Sequence, residues 1–451
     1  MSNQTDLTRG DVRRQLIRYS VPVIATTVLQ TVYSLVDLMV VSHLLGSSGA
    51  SGVSNSSQIT LLLTNVAVGL ANGGNILVGQ FFGSGDHERR EKVTGCFISL
   101  FVLVGVLIAV ASFACSGLMI KALKTPAYDE AVAYLRTASV GLVFVYVYNC
   151  LASILRAVGN SKQPMRIILV TCVVNVILDL LFVGPMQMGT AGAALATVIS
   201  QALSCLMALL YLLRNRNIFS FQRELLHMDG STVGKILKLG IPCAVQMTVA
   251  GISWLTVTFL INGYGVDYSA ASAYAAKVKD LSMMFITSLS TAASVMIAQT
   301  LGAGLFDRAK EVLKEAVRLS LLISAVLVIF IEITAPWLAS LFTSDAQVIQ
   351  IAALNMRIEI LGQMFYAIFL VYHAMMIGAG DTYMVLISSS VNCILFRIIF
   401  GVAFNAWFGV IGIFVACAIA PFTSVPVGWF YLRSNHWRHS LATHQEESDH
   451  V

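Results

Sequence analysis

Two stretches from different halves of the chain resemble each other: VGQFFGSGDHERREKV at residues 78–93 and IAQTLGAGLFDRAKEV at residues 297–312. Five of the sixteen aligned positions are identical. The same shift, 219 to 221 residues, also aligns GTAGAALATVISQ from residue 189 with GVIGIFVACAIAP from residue 409. Matches that fall on one shift along the whole chain indicate an internal repeat, and this repeat decides the predicted architecture.

Composition places the chain among membrane proteins. Of its 451 residues, 57% are hydrophobic and 11% are charged, whereas soluble domains carry about 25% charged residues. Apolar runs of about 20 residues are long enough to cross a bilayer core. The first run, after RGDVRRQLIR, is expected to be a retained span and not a signal peptide. Twelve spans are predicted, near residues 16–43, 53–81, 94–118, 132–156, 164–184, 189–213, 236–262, 269–300, 313–338, 347–377, 383–405 and 408–432.

The repeat and the spans together predict an all-α polytopic membrane protein with two six-helix lobes. Because six is even, both lobes enter and leave on the same side, so a pseudo-twofold axis along the membrane normal relates them. Such repeats usually hold substrate between the lobes and alternate its access; the alternative is a repeat kept only for folding. The predicted domains are an N-lobe at 1–213, a cytoplasmic linker at 214–234, a C-lobe at 235–432 and a disordered cytoplasmic tail at 433–451.

The distribution of basic residues predicts the orientation. With the N-terminus inside, the inner loops and tails hold 21 of the 28 lysines and arginines, and the outer loops hold only Lys121 and Lys124. By the positive-inside rule, both termini are expected in the cytoplasm, and the protein in the plasma membrane (the inner membrane of a Gram-negative cell). The positive charge forms no nucleic-acid face. Eight scattered cysteines without a CxxC pair predict no zinc or redox site.

Four polar side chains interrupt the apolar spans of the first half. Asp37 lies in TVYSLVDLMVV, Asn175 and Asp179 lie in VNVILDLLFVG, and Thr197 lies in the sixth span. A charged residue at mid-bilayer costs about 2.5–3.5 kcal/mol on insertion scales, so it normally faces an interior cavity with a partner. Asn175 and Asp179 share a helix face. A rise of about 1.5 Å per residue places all four in the outer half of one lobe.

These side chains form a set of oxygen donors that suits a hard cation such as Na⁺. The same set can hold a proton instead, because two nearby carboxylates in a low dielectric resist double ionisation. A Na⁺ site at Asp37, Asn175, Asp179 and Thr197, in competition with a proton, is therefore predicted. The alternative is a buried hydrogen-bond network that only supports the structure.

The second half replaces three of these four side chains. At the repeat shift, Asp37 corresponds to Val257 and Thr197 to Cys417. The segment NVILD aligns with NCILFR, where Arg397 takes the place of the acid. A purely structural role would be expected in both halves, so the repeat favours a cation site that belongs to the first lobe alone.

Several motifs resemble the multidrug and toxic compound extrusion (MATE) family: LQTVYSLVDLMVV, YLRTASVG followed by LRAVGNSKQPM, VNVILDLLFV and GTAGAALATVISQ. The resemblance covers essentially the whole chain. It implies a secondary active transporter and not an enzyme: a two-lobe antiporter that exports small organic compounds in exchange for Na⁺ or H⁺. No other cofactor is expected, and the predicted partners are the substrate and the lipid bilayer around a monomer.

The resemblance also implies roles for individual residues. In prokaryotic members, the cation network of the N-lobe has counterparts here in Asp37, Asn175, Asp179 and Thr197. A tyrosine one turn before the first aspartate and an asparagine in span 4 belong to the same network and match Tyr33 and Asn149. The bent first helix of the family would correspond to a kink at Pro22.

One departure from the family pattern concerns the second half. Many members that export cationic drugs carry an acid in span 7, and residues 240–262 contain none. The spans of this half instead contain charges of both signs, with Lys277 and Asp280 spaced to pair with each other. The candidates for substrate contact are Asp280, Glu359, Lys277 and Arg397. This mixture puts a preference for cationic substrates in doubt.

Three classes of function were compared. A cation-coupled antiporter of drugs or other amphipathic compounds explains the carboxylates and the repeat. A flippase for a lipid-linked or anionic substrate is the alternative, although it would favour more spans and a strongly basic cavity. An enzyme or channel is disfavoured, because the sequence shows no HExxH, no GxSxG and no filter motif.

Overall fold

The computed structural model describes residues 6–123, 125, 127–220, 223–438 and 441. Within these residues the chain forms α-helices with short 3₁₀ and π segments and no strands, which confirms the all-α prediction. Eleven helical stretches among them are long and apolar enough to cross a membrane. A bent pair, Ala346–Leu361 with Gln363–Ala379, makes the twelfth span. Six spans precede residue 215 and six follow residue 229, as predicted.

The helices of the first half run longer than predicted. They are α1 (Val12–Ser84), α2 (His87–Ala122), α3 (Tyr128–Ala157), α4 (Lys162–Val183) and α5 (Gly189–Arg214). The segment between the first two predicted spans, LLGSSGASG, is also helical, so α1 carries both spans, Val12–Leu45 and Ser51–Ser84.

Residues Val21–Ala244 form one compact unit, called the first unit here. In this unit Asn75 Nδ2 donates to the carbonyl of Ser153 at 2.9 Å, and Tyr146 donates to the carbonyl of Leu63 at 2.9 Å, so α1 and α3 are joined by buried polar contacts. A Cβ at Gly73 would meet the Ile236 carbonyl at 2.3 Å. Small residues allow such close helix packing in membranes.

The helices of the second half are more often interrupted. They are α6 (Gly230–Asn262), α7 (Val266–Gly302), α8 (Phe306–Ser340), α9 (Ala346–Leu361), α10 (Gln363–Ala379), α11 (Thr382–Ser390), α12 (Phe400–Phe408), α13 (Val410–Ile419) and α14 (Ser424–Arg433). A 45° bend separates α9 from α10. The π segment Val391–Ile399 joins α11 to α12, and a 3₁₀ turn before α14 contains Pro421. These interruptions were not predicted.

Leu7–Ser20 and the chain from Val245 onward form the second unit. The Arg308 guanidinium donates to the carbonyls of Leu7 and Gly10, which attaches the N-terminal segment to α8. The first unit therefore differs from the expected N-lobe of residues 1–213: it lacks residues 7–20 and extends into α6. Most of the tail expected to be disordered, 433–451, lies outside the described residues, although Trp437 is buried against Phe306.

Backbone conformation repeats at the predicted shift. Glycine has no Cβ and so adopts positive φ without strain, which makes it the usual residue at left-handed turns. Six such glycines form three pairs separated by 219 to 221 residues: Gly85 and Gly304, Gly159 and Gly380, and Gly189 and Gly409. The interhelical turns of the two halves therefore share their local geometry as well as their sequence.

Candidate functional site

The buried face of α4 carries polar side chains. Asn175 is 1% exposed and Asp179 is 0% exposed, whereas Ile177 and Leu180 on the other side are more than half exposed. The spacing of four residues aligns both polar side chains with buried Thr171, one turn earlier. Thr171 was not predicted as part of this stripe. The helix thus carries an inward polar stripe and an outward apolar surface.

The first part of α1 lies alongside α4 and brings Asp37 to this stripe. Cys172 Sγ lies 3.8 Å from the carbonyl of Leu29, so the two helices are in contact about two turns before their acids. The carboxyl groups of Asp37 and Asp179 lie within hydrogen-bonding reach of each other. The structure therefore places together the two acids that the sequence singled out.

The polar atoms of this pair have no neutralising neighbour among the described residues. Asp37 Oδ1 and both carboxyl oxygens of Asp179 are buried there without a hydrogen-bond donor, and both amide atoms of Asn175 are buried without a hydrogen bond. Ionised carboxylates only accept hydrogen bonds, so two in contact require a shared proton or a cation between them. Buried polar groups without partners are rare, and a ligand is a common reason for them. The oxygen atoms of Asp37, Asp179 and Asn175 form a set that fits either H⁺ or Na⁺.

Two tyrosines lie within electrostatic range of both acids. Tyr33, one turn before Asp37 on α1, was predicted at this position. Tyr134 on α3 was not predicted, although it lies near both carboxylates and accepts a hydrogen bond from Ser57 at 3.4 Å. An aromatic residue in an apolar helix gives little signal by itself. The available clue was the repeat, which aligns Tyr134 with a buried polar residue, Asn355.

The other predicted members are less closely joined to the acids. Thr197 donates to the carbonyl of Ala193 on its own helix at 3.2 Å. Ala193 belongs to the same buried cluster as Val41, one turn after Asp37, so Thr197 lies at the level of Asp37. Asn149 donates to the carbonyl of Val145 at 2.8 Å, and within the described chain it makes no hydrogen bond to either acid.

The counterparts of these residues in the second unit also lie together, but the charge is reversed. Val257 and Cys417, the counterparts of Asp37 and Thr197, share one apolar cluster. Arg397, the counterpart of Asp179, is 5% exposed, and its Nη2 donates to Asn392 Oδ1 at 3.1 Å. These two residues are five apart on the π segment, whose i to i+5 periodicity puts them on one side.

A small cavity adjoins Arg397 in the second unit. Lys279 and Glu359 line it and form a largely buried ion pair at 2.7 Å. The expected pairing of Lys277 with Asp280 is wrong within the described residues, where no such ion pair forms. The two side chains are exposed on α7, while Lys279, between them in sequence, points to Glu359.

Pro22 lies inside α1, next to the boundary between the two units. It has no N–H, so the carbonyl of Arg18, one turn earlier, loses its helical donor. The hydroxyl of Thr26, one turn later, donates to the carbonyl of Pro22 itself at 2.8 Å. A kink at this position stays a prediction. The described residues contain no cluster of three or more His, Cys, Asp or Glu side chains suited to a metal.

A repeated all-helical fold with twelve spans and a buried pair of acids defines a polytopic membrane protein of the transporter class. The MatE family profile matches residues 22–181 and 242–403, and the chain belongs to this family. The predictions of the family and of a transporter rather than an enzyme are thereby confirmed.

Two relatives and one solved structure illustrate the match. The chain is 30% identical to "Probable multidrug resistance protein YoeA" of Bacillus subtilis over 76% of each protein. It is 27% identical to "Probable multidrug resistance protein YpnP" of the same organism, over 96% of this chain and 97% of that one. A multidrug resistance MATE transporter solved in an outward-facing conformation superimposes with a TM-score of 0.90 at 21% identity, over 96% of this chain and 98% of that one.

Proposed function

We propose that this protein is a cation-coupled antiporter in the plasma membrane that exports small amphipathic organic compounds in exchange for H⁺ or Na⁺. The names of the relatives, which describe multidrug resistance proteins, support the substrate class. The facing carboxyl groups of Asp37 and Asp179 are the single observation that carries the coupling. In this proposal the protein acts as a monomer with both termini in the cytoplasm.

The chemistry of the pair explains the exchange. One proton or one Na⁺ between Asp37 and Asp179 removes the repulsion between two buried charges, so the loaded pair favours a different helix arrangement from the empty one. Asn175 and the hydroxyls of Tyr33 and Tyr134 supply neutral oxygens for a Na⁺ ion. Thr197 supplies a further hydroxyl oxygen at the level of Asp37.

The energy for export comes from the entry of the cation. A membrane potential of 100 mV supplies about 2.3 kcal/mol for each charge that crosses the membrane. Binding at the pair must be reversible on both sides, and the absence of a neutralising lysine or arginine among its described contacts keeps the site available to a mobile cation. The cation is a substrate of the exchange and not a resident cofactor.

Reconstituted transport tests this function. Proteoliposomes loaded with ethidium, a fluorescent organic cation, should lose it when either an inward H⁺ or an inward Na⁺ gradient is imposed. Asp179→Asn should abolish the response, because an amide cannot bind a proton or neutralise a cation. Asp129→Asn is the matched control, since Asp129 is exposed at the start of α3. Undiminished gradient-dependent efflux in Asp179→Asn would refute the coupling role.

A second candidate is transport of a lipid-linked or anionic substrate. The observation that favours it is the basic residue Arg397 at the position in the second unit where the first unit has Asp179. Efflux that depends on neither the H⁺ nor the Na⁺ gradient, together with transbilayer movement of a fluorescent anionic phospholipid, would support this candidate instead.

A further inference from the structure

Arg397 is a buried cation whose charge has no carboxylate partner in the described part of the chain. It is 5% exposed, and its recorded hydrogen bonds go to two neutral atoms, Asn392 Oδ1 at 3.1 Å and Cys393 Sγ at 3.8 Å. Its Nε is buried without an acceptor among the described residues. A buried guanidinium normally binds a carboxylate or phosphate through its planar fork of donors.

The surroundings of Arg397 do not supply the missing anion. The acid that lines the same cavity, Glu359, is paired with Lys279 at 2.7 Å. Farther along α7, exposed Asp280 is within electrostatic range of Lys277 and Lys279. Among the charged side chains that line the cavity, Arg397 and Lys279 are bases and Glu359 is an acid, so one positive charge is in excess.

Two further features suit an organic anion. Trp254 contacts both cations: Lys279 Nζ lies 3.3 Å and Arg397 Cζ lies 4.3 Å from the centre of its ring. The ring holds the two cations in place and adds an aromatic surface to the cavity. Gln363, 2% exposed and lining the same cavity, has its Nε2 buried without an acceptor among the described residues. Two buried donors, Arg397 Nε and Gln363 Nε2, therefore border one cavity and have no acceptor among the described residues.

We propose that this cavity of the second unit binds the anionic group, a carboxylate or phosphate, of an amphipathic substrate. Arg397 and Gln363 donate to the anion, and Met283 and Tyr366 in the cavity wall contact the apolar part. This inference rests on the proposed function and adds anionic amphiphiles to the compounds that the protein exports.

Binding of a matched pair of fluorescent probes tests the inference. Dansylglycine carries a carboxylate, and dansylglycinamide is its neutral analogue with the same aromatic group. The purified full-length protein should bind the acid at least about tenfold more tightly than the amide, because a hydrogen bond to a charged group is at stake. Equal binding of acid and amide would overturn the inference, and this comparison needs no variant.

Variants assign the selectivity to Arg397. Arg397→Gln should remove the preference for the acid, and Arg397→Lys should restore part of it. Arg357→Gln is the matched control, because Arg357 belongs to the same unit but is half exposed beside Glu332. An unchanged acid preference in Arg397→Gln would contradict the assignment.

Competition identifies the source of the anion. Displacement of dansylglycine by benzoate but not by dihexanoyl-phosphatidylglycerol would support a soluble acid, and displacement by the phospholipid would support a lipid headgroup at the same site. Displacement by neither would count against the site.

Binding also separates this inference from the proposed function. If acid-selective binding persists but no gradient drives efflux, only the coupling proposal fails. If gradients drive efflux of ethidium but no acid is preferred, only the anion site fails.

Discussion

At the scale of single residues, one buried position carries opposite charges in the two units. Asp179 in the first unit faces Asp37, while its counterpart Arg397 in the second unit contacts Trp254 and Asn392. Each arrangement leaves polar atoms without partners among the described residues. Buried charges are costly, so they persist where a ligand compensates them. The two positions therefore suit two ligands of opposite sign.

The hydroxyl of Tyr134 is expected to be part of the cation site. Tyr134→Phe keeps the ring and removes only the oxygen near the acids. We predict a loss of apparent affinity for the coupling cation of about tenfold, since a contact with a charged group is lost. The measurement is the dependence of ethidium efflux on cation concentration.

Tyr146→Phe serves as the control for this prediction. The Tyr146 hydroxyl binds the carbonyl of Leu63, a contact within the helix packing, so its removal should leave the cation dependence unchanged. If Tyr134→Phe also keeps the wild-type dependence, Tyr134 has no part in the cation site.

The ion pair of Lys279 and Glu359 is expected to stabilise the second unit only as a pair. Lys279→Met should destabilise the protein by about 3 kcal/mol, because it leaves the largely buried acid without its partner. The double variant Lys279→Met with Glu359→Gln should recover most of this loss. Thermal unfolding followed by tryptophan fluorescence measures both. A single variant as stable as the wild type would show that the pair is not coupled.

At the scale of helices, the sequence predicted the spans well and their interruptions poorly. Length and hydrophobicity locate a span because the bilayer imposes both. The bend at Gly362 and the π segment Val391–Ile399 depend on side-chain packing that hydrophobicity does not report. One clue to the π segment was present: the repeat shift is 217 at Asn392 and 218 at Arg397, which is one extra residue between them.

The residues of the candidate site were also predicted only in part. Asp37, Asn175 and Asp179 were predictable because polar residues contrast with an apolar helix. Tyr134 was missed because it has no such contrast. The sequence favoured a local pair, Lys277 with Asp280, and gave no partner for Glu359, which in the structure binds Lys279 across 80 residues of sequence. Tertiary packing, which decided that choice, is not encoded in spacing along one helix.

The left-handed turn at Gly380 is expected to be sensitive to a side chain. With φ at 90°, a Cβ at Gly380 should cost about 1–2 kcal/mol. Gly380→Ala should therefore lower the unfolding temperature. Gly401→Ala is the contrasting variant: Gly401 is helical with open space around its Cβ position, so alanine should be neutral or stabilising. Equal effects of the two variants would contradict the assigned turn.

At the scale of the whole molecule, the number of spans and the distribution of basic residues together predict the membrane topology. Twelve spans and the excess of lysine and arginine on one side predict that both termini lie in the cytoplasm. This orientation matters for the function, because it determines from which side the coupling cation reaches Asp37 and Asp179.

Cysteine labelling tests this topology. In a Cys115→Ser background, which removes the exposed native thiol, Ser344→Cys should react with a membrane-impermeant maleimide in intact cells. Ser344 lies in the loop between α8 and α9, on the predicted outer side. Ser84→Cys, at the end of α1 on the predicted inner side, should react only after permeabilisation. The reverse pattern would invert the topology.

The central claim is that cation entry through the acid pair drives export, and simultaneous recording of both movements tests it most directly. Lightly buffered proteoliposomes would report ethidium efflux together with internal pH and internal Na⁺. We expect efflux to be accompanied by entry of one of the two cations, and Asp179→Asn to stop both movements together. Wild-type efflux without entry of either cation would contradict it.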